Sequence, residues 1–147
     1  MMITDKTLGL YIHIPFCAAK CRYCDFYSAP AGAELRVLYV TALCSHIREM
    51  AKKVDAYAVD TVYIGGGTPT LLGAAPLAEI LRTVRENYQL TPDAEITVEC
   101  NPLTNTAGLF EGLFAAGVNR LSIGLQSARS LSGKGKMRAI RQRRIST

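Results

Sequence analysis

The sequence predicts an α/β chain whose parallel strands curl toward a barrel, with the helices outside. Two observations carry that expectation. Strand and helix signals alternate from residue 8 to residue 126, and alternation of this length implies parallel strands joined by right-handed crossovers. Within each strand one alternating set is apolar: Leu10, Ile12, Ile14; Val62, Ile64; Ile96, Val98; Leu121, Ile123, Leu125. The other set holds Tyr11, His13; Tyr63, Gly65; Thr97, Glu99; Ser122, Gly124, Gln126. A parallel strand buried on both faces would be apolar throughout. A partly hollow lumen therefore explains the polar face better than a sheet covered on both sides. The polar residues gather near the C-terminal strand ends, where β/α barrels place their active sites.

The elements follow in order. A first strand covers about Leu8 to Ile14 and runs into a cysteine-bearing loop. An amphipathic helix then presents Leu35, Leu38, Tyr39, Ala42, Ile47 and Met50 on one face. Thr61 to Ile64 is a second strand, ended by the turn Gly65-Gly66-Gly67-Thr68-Pro69. Pro76 opens a second helix, with Leu77, Ile80, Leu81, Val84 and Tyr88 at helical spacing. Glu95 to Cys100 is a third strand, stopped by Asn101-Pro102. A third helix carries Leu109, Phe110, Leu113 and Phe114 and ends at Gly117, a natural residue for the left-handed position after a helix. Asn119 to Leu125 is the fourth strand.

At 147 residues and 49% hydrophobic, the chain suits one globular domain with a real core. Its apolar stretches are too short and too interrupted to cross a membrane, and its start lacks the pattern of an export signal. A cytoplasmic protein is expected. The net charge of +5 is uneven. Residues 129–147 carry 7 basic and no acidic side chains, whereas residues 1–128 carry 10 basic and 12 acidic ones. That tail also loses the apolar periodicity. Without interleaved aromatics or a groove-reading motif it does not suggest a nucleic-acid partner. It suits a solvated tail, or a non-native end from truncation or a shifted reading frame.

Five cysteines, Cys17, Cys21, Cys24, Cys44 and Cys100, in a chain without an export signal argue for metal over disulfides. Three form the run Cys17-Ala18-Ala19-Lys20-Cys21-Arg22-Tyr23-Cys24, a C-x₃-C-x₂-C spacing. Three thiolates in one loop can ligate three irons of a [4Fe–4S] cluster and leave the fourth iron open, whereas ordinary electron-transfer clusters use four cysteines. A structural zinc site or reduced thiols remain alternatives on spacing alone. Cys44 and Cys100 read as small buried hydrophobes. His13 is either a functional or a structural lumen residue.

Tyr11-Ile12-His13-Ile14-Pro15-Phe16-Cys17, running into the C-x₃-C-x₂-C loop, resembles the radical SAM (S-adenosylmethionine) coproporphyrinogen oxidase-like family. Gly65-Gly66-Gly67-Thr68-Pro69, Val98-Glu99-Cys100-Asn101-Pro102 and the run from Gly117 to Ser127 resemble the same family in the same order. The resemblance covers residues 8–127 and implies the N-terminal part of a radical SAM partial (β/α) barrel. It implies that Cys17, Cys21 and Cys24 hold a [4Fe–4S] cluster whose open iron chelates the methionine end of SAM. Gly66, Gly67 and Thr68 would let backbone approach that end. Tyr11 would lie near the sulfonium, Tyr23 near the adenine, and Glu99 would accept from the ribose hydroxyls. An inward-facing Glu99 without such partners would be costly. Gln126 would add a further polar SAM contact.

Two branches of that family differ in activity. One oxidatively decarboxylates coproporphyrinogen III; the other, the HemW type, is a heme chaperone. In the oxidase branch a further cysteine commonly follows two positions after the last ligand, where this chain has Phe26. The segment before the first strand is also short. Both departures favour the heme-chaperone branch, with heme as cargo, an electron donor and a heme-accepting protein as partners. The oxidase and a zinc-stabilised interaction module are the alternatives. Family members continue well beyond the point where the resemblance stops. Residues 1–128 are therefore expected to form a partial radical SAM core, and residues 129–147 a basic tail foreign to the family.

Overall fold

The computed structural model describes residues 6–18, 28–101 and 108–124. Its elements run β1 (Thr7–Ile14), α1 (Ala33–Ala51), β2 (Ala58–Gly66), a 3₁₀ turn at Pro69–Leu72, α2 (Ala74–Asn87), β3 (Gln89–Cys100), α3 (Leu109–Ala115) and β4 (Arg120–Ile123). The strands form one sheet in the order β1-β2-β3-β4, and every neighbouring pair is parallel. A doubly wound sheet reverses its strand order and covers both faces. Here the order never reverses. α1 packs on α2 and α2 on α3, so the helices make a single layer.

The apolar strand residues build the core against that layer. Ile12, Ile14, Val62, Ile64, Ile96 and Val98 are buried together with Leu77, Ile80, Leu81 and Val84 of α2 and with Leu109 and Leu113 of α3. Strand alternation then turns Tyr11, His13, Tyr63, Gly65, Thr97 and Glu99 to the opposite face. The four strands thus form one sheet with a helix-covered face, open at β4 where Ile123 is exposed, and an opposite polar face, consistent with the concave side of a partial barrel.

Local chemistry fixes the ends. Gly117, at φ +87°, closes α3. Its N–H donates to Phe114 O at 2.8 Å, and the Val118 N–H donates to Leu113 O at 3.0 Å. This is a Schellman pair, accompanied by burial of both Leu113 and Val118. Asn119 then ties β3 to the approach of β4. Its side chain accepts from Ile96 N at 2.8 Å and donates to Ala94 O at 2.8 Å.

Three sequence expectations need correction. α1 buries Val40, Cys44, Ile47 and Ala51, whereas Leu35 and Leu38 are exposed. Apolar residues surround this helix almost completely, so periodicity alone did not select the packed side. α2 begins at Ala74, two residues before Pro76, because proline is tolerated throughout the first helical turn, where its missing N–H has no intrahelical partner. β3 begins at Gln89, well before Glu95. Its Gln89 and Leu90 pair with Ala58 and Val59, and the register then shifts before Thr61 pairs with Glu95. Such a bulge accommodates Pro92, which has no N–H to give the ladder.

Candidate cofactor site

Strand register stacks the concave face into two rows. Tyr11 pairs with Tyr63, Tyr63 with Thr97, and Thr97 with Arg120. One step nearer the C-terminal ends, His13 pairs with Gly65 and Glu99 with Ser122. The lower row is closed at one side by Arg120, which donates to Glu95 at 3.1 Å and to Thr97 Oγ1 at 3.4 Å. The upper row opens onto the glycine turn and the start of the cysteine loop.

That turn is seated on the strand-to-loop junction. The Gly67 N–H donates to Ile14 O at 2.8 Å, and the Thr68 N–H donates to Phe16 O at 2.6 Å. Thr68 Oγ1 lies 3.9 Å from Cys17 Sγ. Phe16 also bridges to Ala29; Ala29 N donates to Pro15 O at 2.9 Å, and Cys17 N to Ala29 O at 3.3 Å. These bonds join the two ends of the cysteine loop beside the strand mouths. A Cβ on Gly67 would lie 2.4 Å from Phe16 O, and one on Gly65 would lie 2.9 Å from Glu99 Oε2. Gly66, at φ +116°, would place a Cβ 2.6 Å from His13 Cε1. The chain's own packing therefore requires glycine at 67 through backbone contact and at 66 through its positive φ, independently of any ligand approach, whereas at Gly65 the close atoms belong to side chains.

Glu99 is held by both oxygens. Tyr63 donates to Oε1 at 2.7 Å, and the Gly66 N–H donates to Oε2 at 3.0 Å. The carboxylate is thus paired within the chain, which corrects the expectation that it needs a ligand to avoid being unpaired. Two lone-pair positions remain on its oxygens, since a carboxylate offers about four, and the side chain is only half-buried. Hydrogen bonding to Glu99 raises the Tyr63 phenol above its ordinary pKa, with burial adding to the effect. Burial and the Glu99 charge together raise that of Tyr11. Tyr11 lies over Tyr63, with ring centroids 6.1 Å apart and planes 23° apart. Its hydroxyl is 3.1 Å from His13 Nδ1. With 61% of its surface exposed, Tyr11 presents its ring to the concave side.

The structure therefore places Cys17, Gly66, Gly67, Thr68 and Glu99 at the C-terminal strand ends, with Tyr11 one row below on the same face. Cys21, Tyr23, Cys24 and Gln126, together with Phe26 and the tail, lie outside the described residues. Cys44 and Cys100 are buried in the helix-side core. Tyr63 is the residue that sequence reasoning missed as a partner of the site. Its signal was available, because it shares the polar face with Glu99 and lies two residues before the glycine turn.

Residues 11–147 match the radical SAM superfamily. The chain belongs to that superfamily. Among its relatives, heme chaperone HemW of Mycobacterium tuberculosis is 43% identical over 125 residues, covering 83% of this chain and 32% of that protein. Heme chaperone HemW of Escherichia coli K12 is 43% identical over 127 residues, covering 86% and 34%. An anaerobilin synthase of Escherichia coli O157:H7 is 42% identical over 123 residues, covering 82% and 28%. In structure, the chain is similar to coproporphyrinogen III oxidase (HemN) from Escherichia coli, a radical SAM enzyme. The TM-score is 0.80 at 34% identity, covering 86% of this chain and 29% of that one. The chain thus spans about a third of the length of the curated relatives it matches.

Membership of the radical SAM superfamily implies a [4Fe–4S] cluster and SAM, and the described residues fit both. Cys17 is partly exposed at the strand mouths, at one end of a loop whose ends are pinned together. The remaining acceptor positions of Glu99 suit a pair of hydroxyls, and the exposed face of Tyr11 suits a cation. Among the described residues no helix is long and apolar enough to cross a membrane.

Proposed function

We propose that this chain carries the cluster- and SAM-binding portion of a HemW-type heme chaperone. Cys17, Cys21 and Cys24 hold the cluster, and SAM lies across the upper row. Its methionine end meets Gly66, Gly67 and Thr68, its sulfonium lies near Tyr11, its adenine near Tyr23, and its ribose hydroxyls donate to Glu99, with Gln126 as a further contact. When bound, cluster and SAM together supply one-electron reductive chemistry. The chain's own contribution is orientation. The pinned loop fixes where Cys17 points, and the doubly held carboxylate fixes where a diol is accepted.

The observation that carries the branch is Phe26, which stands where the oxidase branch commonly has a further cysteine. The identity to heme chaperones of two distant bacteria supports the same reading. Heme is then cargo, an electron donor and a heme-accepting protein are partners, and the setting is the cytoplasm. Residues 1–128 form the partial core, and residues 129–147 a basic extension beyond its β/α series. Anaerobic incubation of the reconstituted chain with heme and, separately, with coproporphyrinogen III tests the branch. Heme retention without decarboxylated product supports the chaperone. Product formed with consumption of SAM replaces it with the oxidase.

A further inference from the structure

Tyr63 occupies a place that no requirement of the core explains. Its ring lies on the concave side, away from the helix layer, and its hydroxyl is committed to Glu99 Oε1 at 2.7 Å. The other carboxylate oxygen is committed to the Gly66 N–H at 3.0 Å. Both donors come from β2 and the acceptor from β3, so together they fix the carboxylate across the gap between the two strands. One donor alone would leave the group free to rotate about its terminal torsion, which is broad and roughly two-fold. Two donors on different oxygens select one plane, and the unused lone pairs then point in fixed directions.

We propose that Tyr63 is a positioning residue of the cofactor site. Its phenol holds Glu99 in the orientation that accepts a vicinal diol, and so sets the preference of the site for an intact ribose. The inference rests on the SAM reading given above and deepens it. Tyr63 touches no reacting group; it acts through Glu99. Tyr11 lies over the same ring and keeps it from swinging out of the lower row. Arg120 and Ser122 face the phenol from β4 and oppose the effect of Glu99 on it, but the hydrogen bond to Glu99 is the leading influence.

The test has two arms, both on the 147-residue chain. In the first, tyrosine rings are labelled with ¹³C at the phenolic carbon and titrated by NMR, with Tyr63→Phe assigning the Tyr63 signal. The Tyr63 midpoint should lie above that of an ordinary tyrosine and fall toward it in Glu99→Gln. A midpoint unmoved by Glu99→Gln means there is no such bond, and overturns the proposal whether or not SAM binds. In the second arm, calorimetry compares binding of SAM with binding of its 3′-deoxyribose analogue to the cluster-reconstituted chain. Loss of one supporting hydrogen bond should weaken SAM about threefold to tenfold in Tyr63→Phe and leave the analogue nearly unchanged, so the preference for the diol narrows. An unchanged preference, with the Tyr63 midpoint still dependent on Glu99, overturns the positioning role alone. Absence of SAM binding by the parent chain overturns the SAM reading and the diol role with it. Circular dichroism of Tyr63→Phe, a near-isosteric change on the concave face, confirms that the fold is retained.

Discussion

Replacing Gly67 with alanine should unseat the glycine turn from the cysteine loop. The added Cβ would lie 2.4 Å from Phe16 O, 2.8 Å from Phe16 C and 3.0 Å from Phe16 N. All three are backbone atoms, so no side chain can rotate away. The shortest contact must open by about 0.6 Å before it reaches even the tight limit of real Cβ packing. Opening it strains the bonds from Gly67 N to Ile14 O and from Thr68 N to Phe16 O, each worth about 0.5–1.5 kcal/mol. Overpacking adds about 1–3 kcal/mol. Together the loss should be about 2–6 kcal/mol, a large share of the ~5–15 kcal/mol that holds a typical domain together. Urea unfolding followed by circular dichroism reads it as a midpoint lowered by roughly 1–3 M, for a slope of about 2 kcal/mol per molar. Gly32→Ala is the comparison, because its Cβ meets nothing within 4 Å, and it should lose no more than about 1 kcal/mol at the start of α1. A Gly67→Ala protein as stable as Gly32→Ala would refute the claim that the turn is locked onto the loop by backbone contact.

Three further outcomes follow from the same structure. Asn119→Ala removes both bonds that tie β4 to Ile96 N and Ala94 O, and should cost about 1–3 kcal/mol in the same urea experiment. Stability should fall on the alkaline side. Burial, reinforced by Glu99, pushes the Cys100 thiol from 9.0 up to about 11, so the folded chain holds that proton more tightly than the unfolded one. The resulting stability is complete below about pH 9 and is lost as pH rises toward about 11; burial of the Tyr39 and Tyr88 phenols acts in the same direction. Thermal melts from pH 7 to pH 11 check this, and a Cys100→Ala protein should show a shallower fall above pH 9. Finally, serine at Cys17, Cys21 or Cys24 should abolish the visible absorbance of the reconstituted cluster, whereas alanine at buried Cys44 or Cys100 should leave it intact.

Much of this architecture was legible because strand alternation is a period-two signal that packing cannot disguise. The polar residues at Tyr11, His13, Tyr63 and Glu99 mark the face opposite the helices in the sequence itself. Gly117 likewise marked the end of α3, because its left-handed conformation is costly for other residues. Less was legible where several faces carry the same chemistry. α1 has leucine or valine on nearly every side, and packing on α2 and into the common core decides that Val40, Cys44 and Ile47 turn inward. The pairing of Tyr63 with Glu99 was also hidden. It depends on the register between β2 and β3, which a bulge shifts after Val59. The glycine turn, read as room for a ligand, carries a second constraint within the chain. Backbone atoms of Phe16 crowd Gly67, and Gly66 is held at φ +116°.

The most direct test of the central claim is electron paramagnetic resonance of the anaerobically reconstituted and reduced chain, recorded with and without SAM. A [4Fe–4S]⁺ signal that changes when SAM is added is the predicted result, since three cysteine ligands leave one iron to be chelated. No cluster, or a signal indifferent to SAM, would contradict the account and mean that this chain does not by itself build the site its motifs describe.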